Sequence, residues 1–436
     1  MRRGIAGVIS NWLKSGTKPL LIMGARQVGK TFLVQETLKP QCRKLHVFNF
    51  EKSRSLASLF EDTLDPNQLI KKLALFANQE IDLKNDVIFF DEIQACDQAI
   101  TSLKYFNEDL PQAKVVATGS YIGLMQSFPV GKVQTVEMFP MTFAEFLYAV
   151  VGDGPIAEAF KNGDVSPALF EKVWPLLLEY FYVGGLPEVV ALWVQNRQSS
   201  PVDGANAVRL LQEQLIANYN LDFGKYSGRN APHIVSVFQN LPYQLAQNID
   251  GSVQKYKFKN VLPKKKSYAE LEGPLVWLEQ MRMMHRSFIV RDPSIPLITQ
   301  DAYFKGYVFD MGILSAQLGI SLSQHMNAKY DYKGYVAENF VALELKASTA
   351  RKLYSWQSSG DAEIEFLLQG TGEIAIPIEV KSGKRTRSKS LDTFRQRYRP
   401  LWAIKLVGTA GGTHDDLITL PLYFAGCLPD FSALKR

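Results

Sequence analysis

Short unbroken apolar runs punctuate the first third of the chain. Residues 20–23 (Leu-Leu-Ile-Met), 87–90 (Val-Ile-Phe-Phe) and 114–120, with Val115, Val116 and Ala117 at its centre, read as buried strands bounded by polar or turn residues. Residues 45–50 and 133–138 add two more, the second closed off by Pro140. Between these runs the apolar positions recur at helical spacing, over residues 5–13, 69–76 and 32–38, the last ended by Pro40. Strands alternating with helices predict an α/β fold around a parallel sheet.

The pattern changes after residue 150. Residues 155–192 read as mostly helical, with the turn Gly184-Gly185-Leu186-Pro187-Glu188 inside. Leu210, Leu211, Leu215 and Ile216 form a helical stripe facing a core. Residues 230–292 suggest several short helices, although Gly273-Pro274 blurs any helix-turn-helix. Residues 332–345 form a helix carrying Glu338, followed by strands over 362–368 and 374–381 and closing strands over 401–407 and 417–422. Strict alternation puts Ile364, Phe366 and Leu368 on one face of the first strand and Glu363 and Glu365 on the other. In the second, Ile374, Ile376, Ile378 and Val380 face the core, with Glu379 and Lys381 opposite.

The chemistry lies at the carboxyl ends of the early strands. Gly24-Ala25-Arg26-Gln27-Val28-Gly29-Lys30-Thr31 follows the first strand and opens a helix, and fits the phosphate-loop pattern G-x-x-x-x-G-K-[ST] throughout. Such a loop wraps phosphate with backbone N–H groups at a helix N-terminus. Lys30 would reach the β- and γ-phosphates and the Thr31 hydroxyl would ligate Mg²⁺. Asp91 and Glu92 end the 87–90 strand: Asp91 to hold Mg²⁺, Glu92 to orient or deprotonate the attacking water. At the end of the third strand, Thr118 or Ser120 would sense the γ-phosphate. Arg26, Arg43 and Arg54 are all open as an arginine finger, and a finger supplied in trans would require an oligomer.

Composition narrows the setting. With 436 residues, two or three domains are expected. No apolar run is clean enough to span a bilayer: residues 173–194 are interrupted by Pro175, Glu179, Gly184, Gly185, Pro187 and Glu188. Three widely separated cysteines, Cys42, Cys96 and Cys427, lack metal-like spacing and suggest reduced thiols in a cytoplasm. The net charge of +6 is mild, but it is concentrated. Lys255-Tyr256-Lys257-Phe258-Lys259 with Lys264-Lys265-Lys266 suits phosphate contact with base stacking. Lys384, Arg385, Arg387, Lys389, Arg395, Arg397 and Arg399 would also favour a DNA backbone.

Taken in order, the phosphate loop, Phe90-Asp91-Glu92-Ile93-Gln94, Thr118-Gly119-Ser120, Phe139-Pro140-Met141-Thr142-Phe143-Ala144-Glu145-Phe146 and Gly184-Gly185-Leu186-Pro187-Glu188 resemble the bacterial and archaeal AAA-type (AAA_14) ATPases with a C-terminal DUF4143 domain. The resemblance implies an ASCE-type P-loop AAA+ core over residues 1–150, a helical lid over 151–229, a winged-helix-like region over 230–300 and a restriction-endonuclease-like α/β domain over 301–436. ATP and Mg²⁺ are the implied cofactors, with DNA or a protein as partner. Gly131-Lys132 departs from the Gly-Arg common in the family, so Lys132 would bring charge without a bidentate fork. In the last domain Glu365, Glu379 and Lys381 follow an endonuclease-like D-x-n-[DE]-x-K constellation that Glu338 would complete around Mg²⁺. Glu365 stands where relatives commonly have aspartate. Three activities therefore compete: an ATP-hydrolysing switch or motor, an ATP-gated nuclease, and a nucleotide-dependent interaction module with an inactive nuclease-like domain.

Overall fold

The computed structural model describes residues 2–120, 128–227, 230–246, 255–327, 333–382, 388–414 and 416–428. The chain divides into two compact units, Met1–Phe139 and Pro140–Arg436.

The first unit runs α1 (Ile5–Ser15), β1 (Leu20–Gly24), α2 (Lys30–Leu38), β2 (Lys44–Asn49), α3 (Arg54–Ser58), α4 (Pro66–Ala77), β3 (Asp86–Asp91), α5 (Asp97–Asp109), β4 (Lys114–Gly119) and β5 (Gln134–Met138). All five strands are parallel, in the order β2-β3-β4-β1-β5. The strand ending in Thr118-Gly119 therefore lies between the phosphate-loop strand and the Asp91 strand. Register aligns their carboxyl ends, pairing Met23 with Gly119 and Asn49 with Asp91. The continuous apolar runs are explained by helices covering both faces. On one face the Phe90 ring meets Phe48, Phe50, Phe60 and Phe106 at centroid distances of 5.7 to 6.2 Å. Such tilted contacts add about 0.5–1.5 kcal/mol each beyond burial and hold β3 rigidly under the site.

The second unit opens with helices α6 (Phe143–Val151), α7 (Pro155–Lys161), α8 (Pro167–Val183), α9 (Pro187–Asn196), α10 (Pro201–Ser227), α11 (Ala231–Ala246) and α12 (Tyr268–Gln280). It continues with β6 (Met284–Val290), β7 (Phe304–Val308), α13 (Met311–Gln317), α14 (Leu322–Met326), α15 (Lys333–Thr349), β8 (Leu353–Gln357), β9 (Glu363–Leu368), β10 (Ile376–Lys381), α16 (Lys389–Tyr398), β11 (Ala403–Val407), β12 (Gly412–His414) and β13 (Leu417–Pro421). Eight strands form one mixed sheet, β12-β13-β11-β10-β9-β8-β6-β7. The stretch expected to be winged-helix-like thus contributes β6 to this sheet, with β7 on one side of it and β8 on the other. Helix α12 also runs through Gly273-Pro274, with Pro274 buried.

Two of the motifs quoted above have structural roles. At Gly184 (φ +77°) and Gly185 the chain passes from α8 to α9 against other backbone, and a Cβ on Gly185 would lie 2.2 Å from the Met141 carbonyl oxygen. The Gly185 N–H donates to Asp310 Oδ2 at 2.7 Å, while Asp310 Oδ1 accepts from Ile313 N at 3.0 Å and caps α13. Thr142 and Glu145 form a reciprocal capping box that starts α6.

Strict alternation fails in β9. Ile364 and Leu367 enter a core with Trp356 and Phe394, whereas Phe366 packs on the Tyr307 ring at 5.7 Å. The ladder shifts register between Tyr354 and Trp356 on the neighbouring strand, and one extra residue reassigns the side chains beyond it.

On α15, buried Glu344 accepts the Phe143 N–H at 2.8 Å. Burial pushes its carboxyl up to about 8, against that hydrogen bond. The folded value exceeds the unfolded one, so the folded chain keeps its proton while the unfolded chain ionises. Stability tied to neutral Glu344 is complete below the unfolded value and drains away as pH rises towards the folded one. Glu344→Gln keeps the acceptor without the ionisation. Its melting temperature should match wild type near pH 4 and exceed it by roughly 4–8 °C near pH 8. An equal difference at both pH values would mean that Glu344 is already ionised in the fold.

Candidate active site

The phosphate loop forms because β1 must stop against β5. A Cβ on Gly24 would lie 2.2 Å from the Met138 carbonyl oxygen. The backbone then turns through left-handed conformations at Gln27 (φ 65°) and Gly29 (φ 90°), the geometry of an anion-cradling nest. Helix α2 starts at Lys30, and its first-turn N–H groups have no intrahelical acceptor. Arg3 braces the loop from outside: Nη1 donates to Val28 O at 3.1 Å and Nη2 to Phe139 O at 2.6 Å.

Lys30 is 5% exposed and its Nζ donates to Gly24 O (3.0 Å), Ala25 O (2.8 Å) and Ser120 Oγ (2.8 Å). Ser120, rather than Thr118, is therefore the hydroxyl beside the lysine. Thr118 instead donates to Asp91 Oδ1 at 2.6 Å. Thr31 Oγ1 donates to the same oxygen at 2.7 Å, and Asn49 Nδ2 to Asp91 Oδ2 at 2.7 Å. Adjacent oxygen ligands around Mg²⁺, each at about 2.1 Å, lie roughly 3 Å apart, so Thr31 Oγ1 and Asp91 Oδ1 are spaced to share one ion. A single carboxylate and a hydroxyl, completed by substrate oxygens, is the usual donor set for Mg²⁺.

Glu92 follows with φ 51°, uncommon for a residue with a side chain. A short 3₁₀ turn over Ile93–Ala95 brings Gln94 back over it. Gln94 Nε2 donates to Glu92 Oε2 at 2.6 Å, and Gln94 Oε1 accepts from the Ser120 N–H at 3.3 Å. The sequence assigns no role to Asn49 or to Gln94, although Gln94 closes the Phe-Asp-Glu-Ile-Gln motif; Asn49 reaches the site only through the β2–β3 register.

The arginine candidates separate. Arg43 forks onto Asp86 at 2.8 and 2.7 Å, at the opposite end of β3 from Asp91, and holds that carboxyl well below the usual range. It is not a finger for this site. Arg26 pairs with Glu51 at 3.1 Å and Arg54 opens α3. Lys132 pairs with Glu108 of α5 at 2.8 Å.

In the second unit Glu338, Glu365, Glu379 and Lys381 do converge, with partners the sequence did not announce. Lys381 Nζ lies 2.6 Å from Glu379 Oε1 and 3.9 Å from Glu365 Oε1. Lys305, 4% exposed on β7, pairs with Glu338 at 2.8 Å and with Glu363. Burial opposes its charge, but the two carboxylates outweigh that and push its pKa up. Tyr307 Oη donates to Glu338 at 2.7 Å, Ser388 Oγ to Glu379 at 2.6 Å and Val380 N to Glu365 at 3.1 Å. Burial, then the Glu379 charge, raises the Glu365 carboxyl well above its ordinary value. Each carboxylate is engaged on one side by an ammonium, hydroxyl or N–H, while Glu379 Oε2 is buried without a hydrogen-bond partner, so the cluster keeps acceptor capacity for a cation. Among the described residues no group of three or more His, Cys, Asp or Glu is arranged to hold a metal.

The stacking expectation is corrected for Tyr256, which is buried against Phe304 (5.2 Å, 20° between planes); Phe258 is half-buried and packs on Phe304 and Tyr268. Lys384, Arg385 and Arg387 lie outside the described residues. Arg395 pairs with Asp416. No helix among the described residues is long and apolar enough to cross a membrane.

Residues 16–147 match the AAA domain family (AAA_14), residues 175–324 a domain of unknown function (DUF8612) and residues 333–419 another (DUF4143). No curated protein matches the chain. Among solved structures, the chain is similar to the Walker-type ATPase PABY2304 of Pyrococcus abyssi, at 14% identity over 73% of this chain and 95% of that one, with a TM-score of 0.45. It is similar to AMPPCP-bound DnaA from Aquifex aeolicus at 12% identity over 63% and 86%, with a TM-score of 0.29.

Proposed function

We propose, for a chain in which an AAA-type P-loop ATPase domain is joined to DUF8612 and DUF4143 domains, that the first unit binds ATP with Mg²⁺ and hydrolyses it as a switch or motor. The observation that carries this reading is the meeting of two pairs at adjacent strand ends: Lys30 with Ser120, and Thr31 with Asp91. The loop backbone from Gly24 to Thr31 holds the phosphates, and Lys30 exchanges its carbonyl partners for phosphate oxygens. Ser120 donates to the γ-phosphate. Thr31 and Asp91, with Asn49 and Thr118 fixing the carboxylate, would hold Mg²⁺, which would supply charge neutralisation for the triphosphate when bound. Water adds to the γ-phosphorus, the bond to the β–γ bridging oxygen breaks, and ADP and phosphate leave. Glu92 takes the proton from the water.

Steady-state hydrolysis of ATP with Mg²⁺, comparing wild type and Glu92→Gln, tests this. The variant should bind ATP as well as wild type and turn it over about 10²–10⁴-fold more slowly, which traps the bound nucleotide. Undiminished turnover in the variant would remove Glu92 from the chemistry. Adding single- or double-stranded DNA to the same assay separates a DNA-responsive ATPase from one that answers to a protein. In the second unit the cluster of Glu338, Glu365, Glu379 and Lys381 leaves two readings, a metal-dependent nuclease and a docking domain; Mg²⁺-dependent DNA cleavage that is lost in Lys381→Ala selects the first, and no cleavage with any divalent ion selects the second.

A further inference from the structure

We propose that Gln94 is a positioning residue that couples recognition of the γ-phosphate to the orientation of Glu92; the inference rests on the hydrolytic reading above. The two groups that would meet the γ-phosphate, Lys30 and Ser120, are joined at 2.8 Å. Ser120 is 2% exposed and its backbone N–H reaches Gln94 Oε1 at 3.3 Å. Gln94 is 7% exposed, and the other end of its amide grips Glu92 Oε2 at 2.6 Å. Lysine, serine, glutamine and glutamate thus form one hydrogen-bonded chain from phosphate sensor to base.

The direction of each bond gives the chain its function. An amide has one donor end and one acceptor end, so Gln94 can serve the Ser120 N–H and the Glu92 carboxylate only in the orientation seen. Its N–H occupies Oε2 alone, which fixes the carboxylate plane and directs the other oxygen by elimination. The left-handed backbone at Glu92 and the 3₁₀ turn behind it set the side chain within reach of the amide. When Ser120 and Lys30 move onto a phosphate, the Ser120 N–H moves with them and Gln94 passes the shift to Glu92. ATP is thereby bound before the base is aimed, and the phosphate itself completes the aim.

Gln94→Leu removes both bonds at similar volume. Its ATP affinity and melting temperature should stay near wild type, while kcat falls roughly tenfold to a hundredfold, since misplacing a reacting group by about 1 Å costs that much. KM should stay near wild type while kcat falls, a split that a merely structural glutamine would not give. Gln94→Glu keeps the acceptor for Ser120 but has no N–H for Glu92, so it should lose turnover as Gln94→Leu does. A Gln94→Leu protein with wild-type kcat overturns the inference. A fall in kcat accompanied by an equal loss of ATP affinity or by a lowered melting temperature also overturns it, leaving a structural glutamine. Absence of any turnover that depends on Lys30 in wild type overturns the hydrolytic reading itself, and this inference with it.

Discussion

Replacing Lys30 by alanine should reduce ATP turnover by at least about 10²-fold and weaken ATP binding with it. The ammonium is buried against the loop and is held there by three acceptors, two of which, the Gly24 and Ala25 carbonyls, a triphosphate would replace. Removing a preorganised charge from a site shielded from water costs more than removing one at the surface, because little solvent remains to substitute for it. Lys30 also ties Gly24 and Ala25 to Ser120, so part of any loss could come from a slackened loop. The melting temperature separates the two: a change confined to a few degrees leaves the loss in the chemistry. Lys30→Arg serves as the companion variant, since it keeps the charge but not the shape, and should recover little. Wild-type turnover in Lys30→Ala would place the hydrolysis elsewhere or in a contaminant.

Lys305→Met should destabilise the second unit by about 3–5 kcal/mol, as expected when one partner is removed from a buried ion pair. Methionine fills nearly the same space, so the loss comes from charge rather than from a cavity. Two carboxylates, Glu338 and Glu363, would be left without the ammonium they share. The Glu363 carboxyl already sits above its ordinary value through burial, and losing Lys305 raises it further. The folded variant therefore holds protons that the unfolded chain releases. Its deficit should be greatest near neutral pH and shrink as pH falls towards the unfolded carboxylate value. Denaturant titration at two pH values checks both the size and the sign. A further change of Glu338 and Glu363 to glutamine should recover much of the loss at neutral pH. A variant as stable as wild type at neutral pH would show that the carboxylates are neutral in the fold and that Lys305 is not their counter-ion.

The legible part of this protein is the part whose chemistry is contiguous. Loop, strand and acidic pair each occupy a few consecutive residues, so spacing alone nominates Lys30, Thr31, Asp91 and Glu92. Asn49 joins them only through β2–β3 register, which no local pattern reveals. Lys305 is hidden for a related reason. It stands in an apolar-looking strand, and its partners come from α15 and β9. The choice between Thr118 and Ser120 stayed open because both end the same strand; they differ in which neighbour they face, Asp91 or Lys30. At β9 the period-two rule failed where the ladder changes register, and Phe366 went to the opposite assignment. Tyr256 shows the reverse error. The composition around it fits a stacking platform, but composition does not say that Phe304 already covers its ring.

The brace formed by Arg3 has a practical side. Its bonds to Val28 O and Phe139 O tie the segment ahead of α1 to the nucleotide loop through a guanidinium. A label attached to that segment would load the binding element directly, and its charge would enter the measured nucleotide affinity. Labels for following this protein belong on exposed helix faces such as α4, where Leu75 points into solvent.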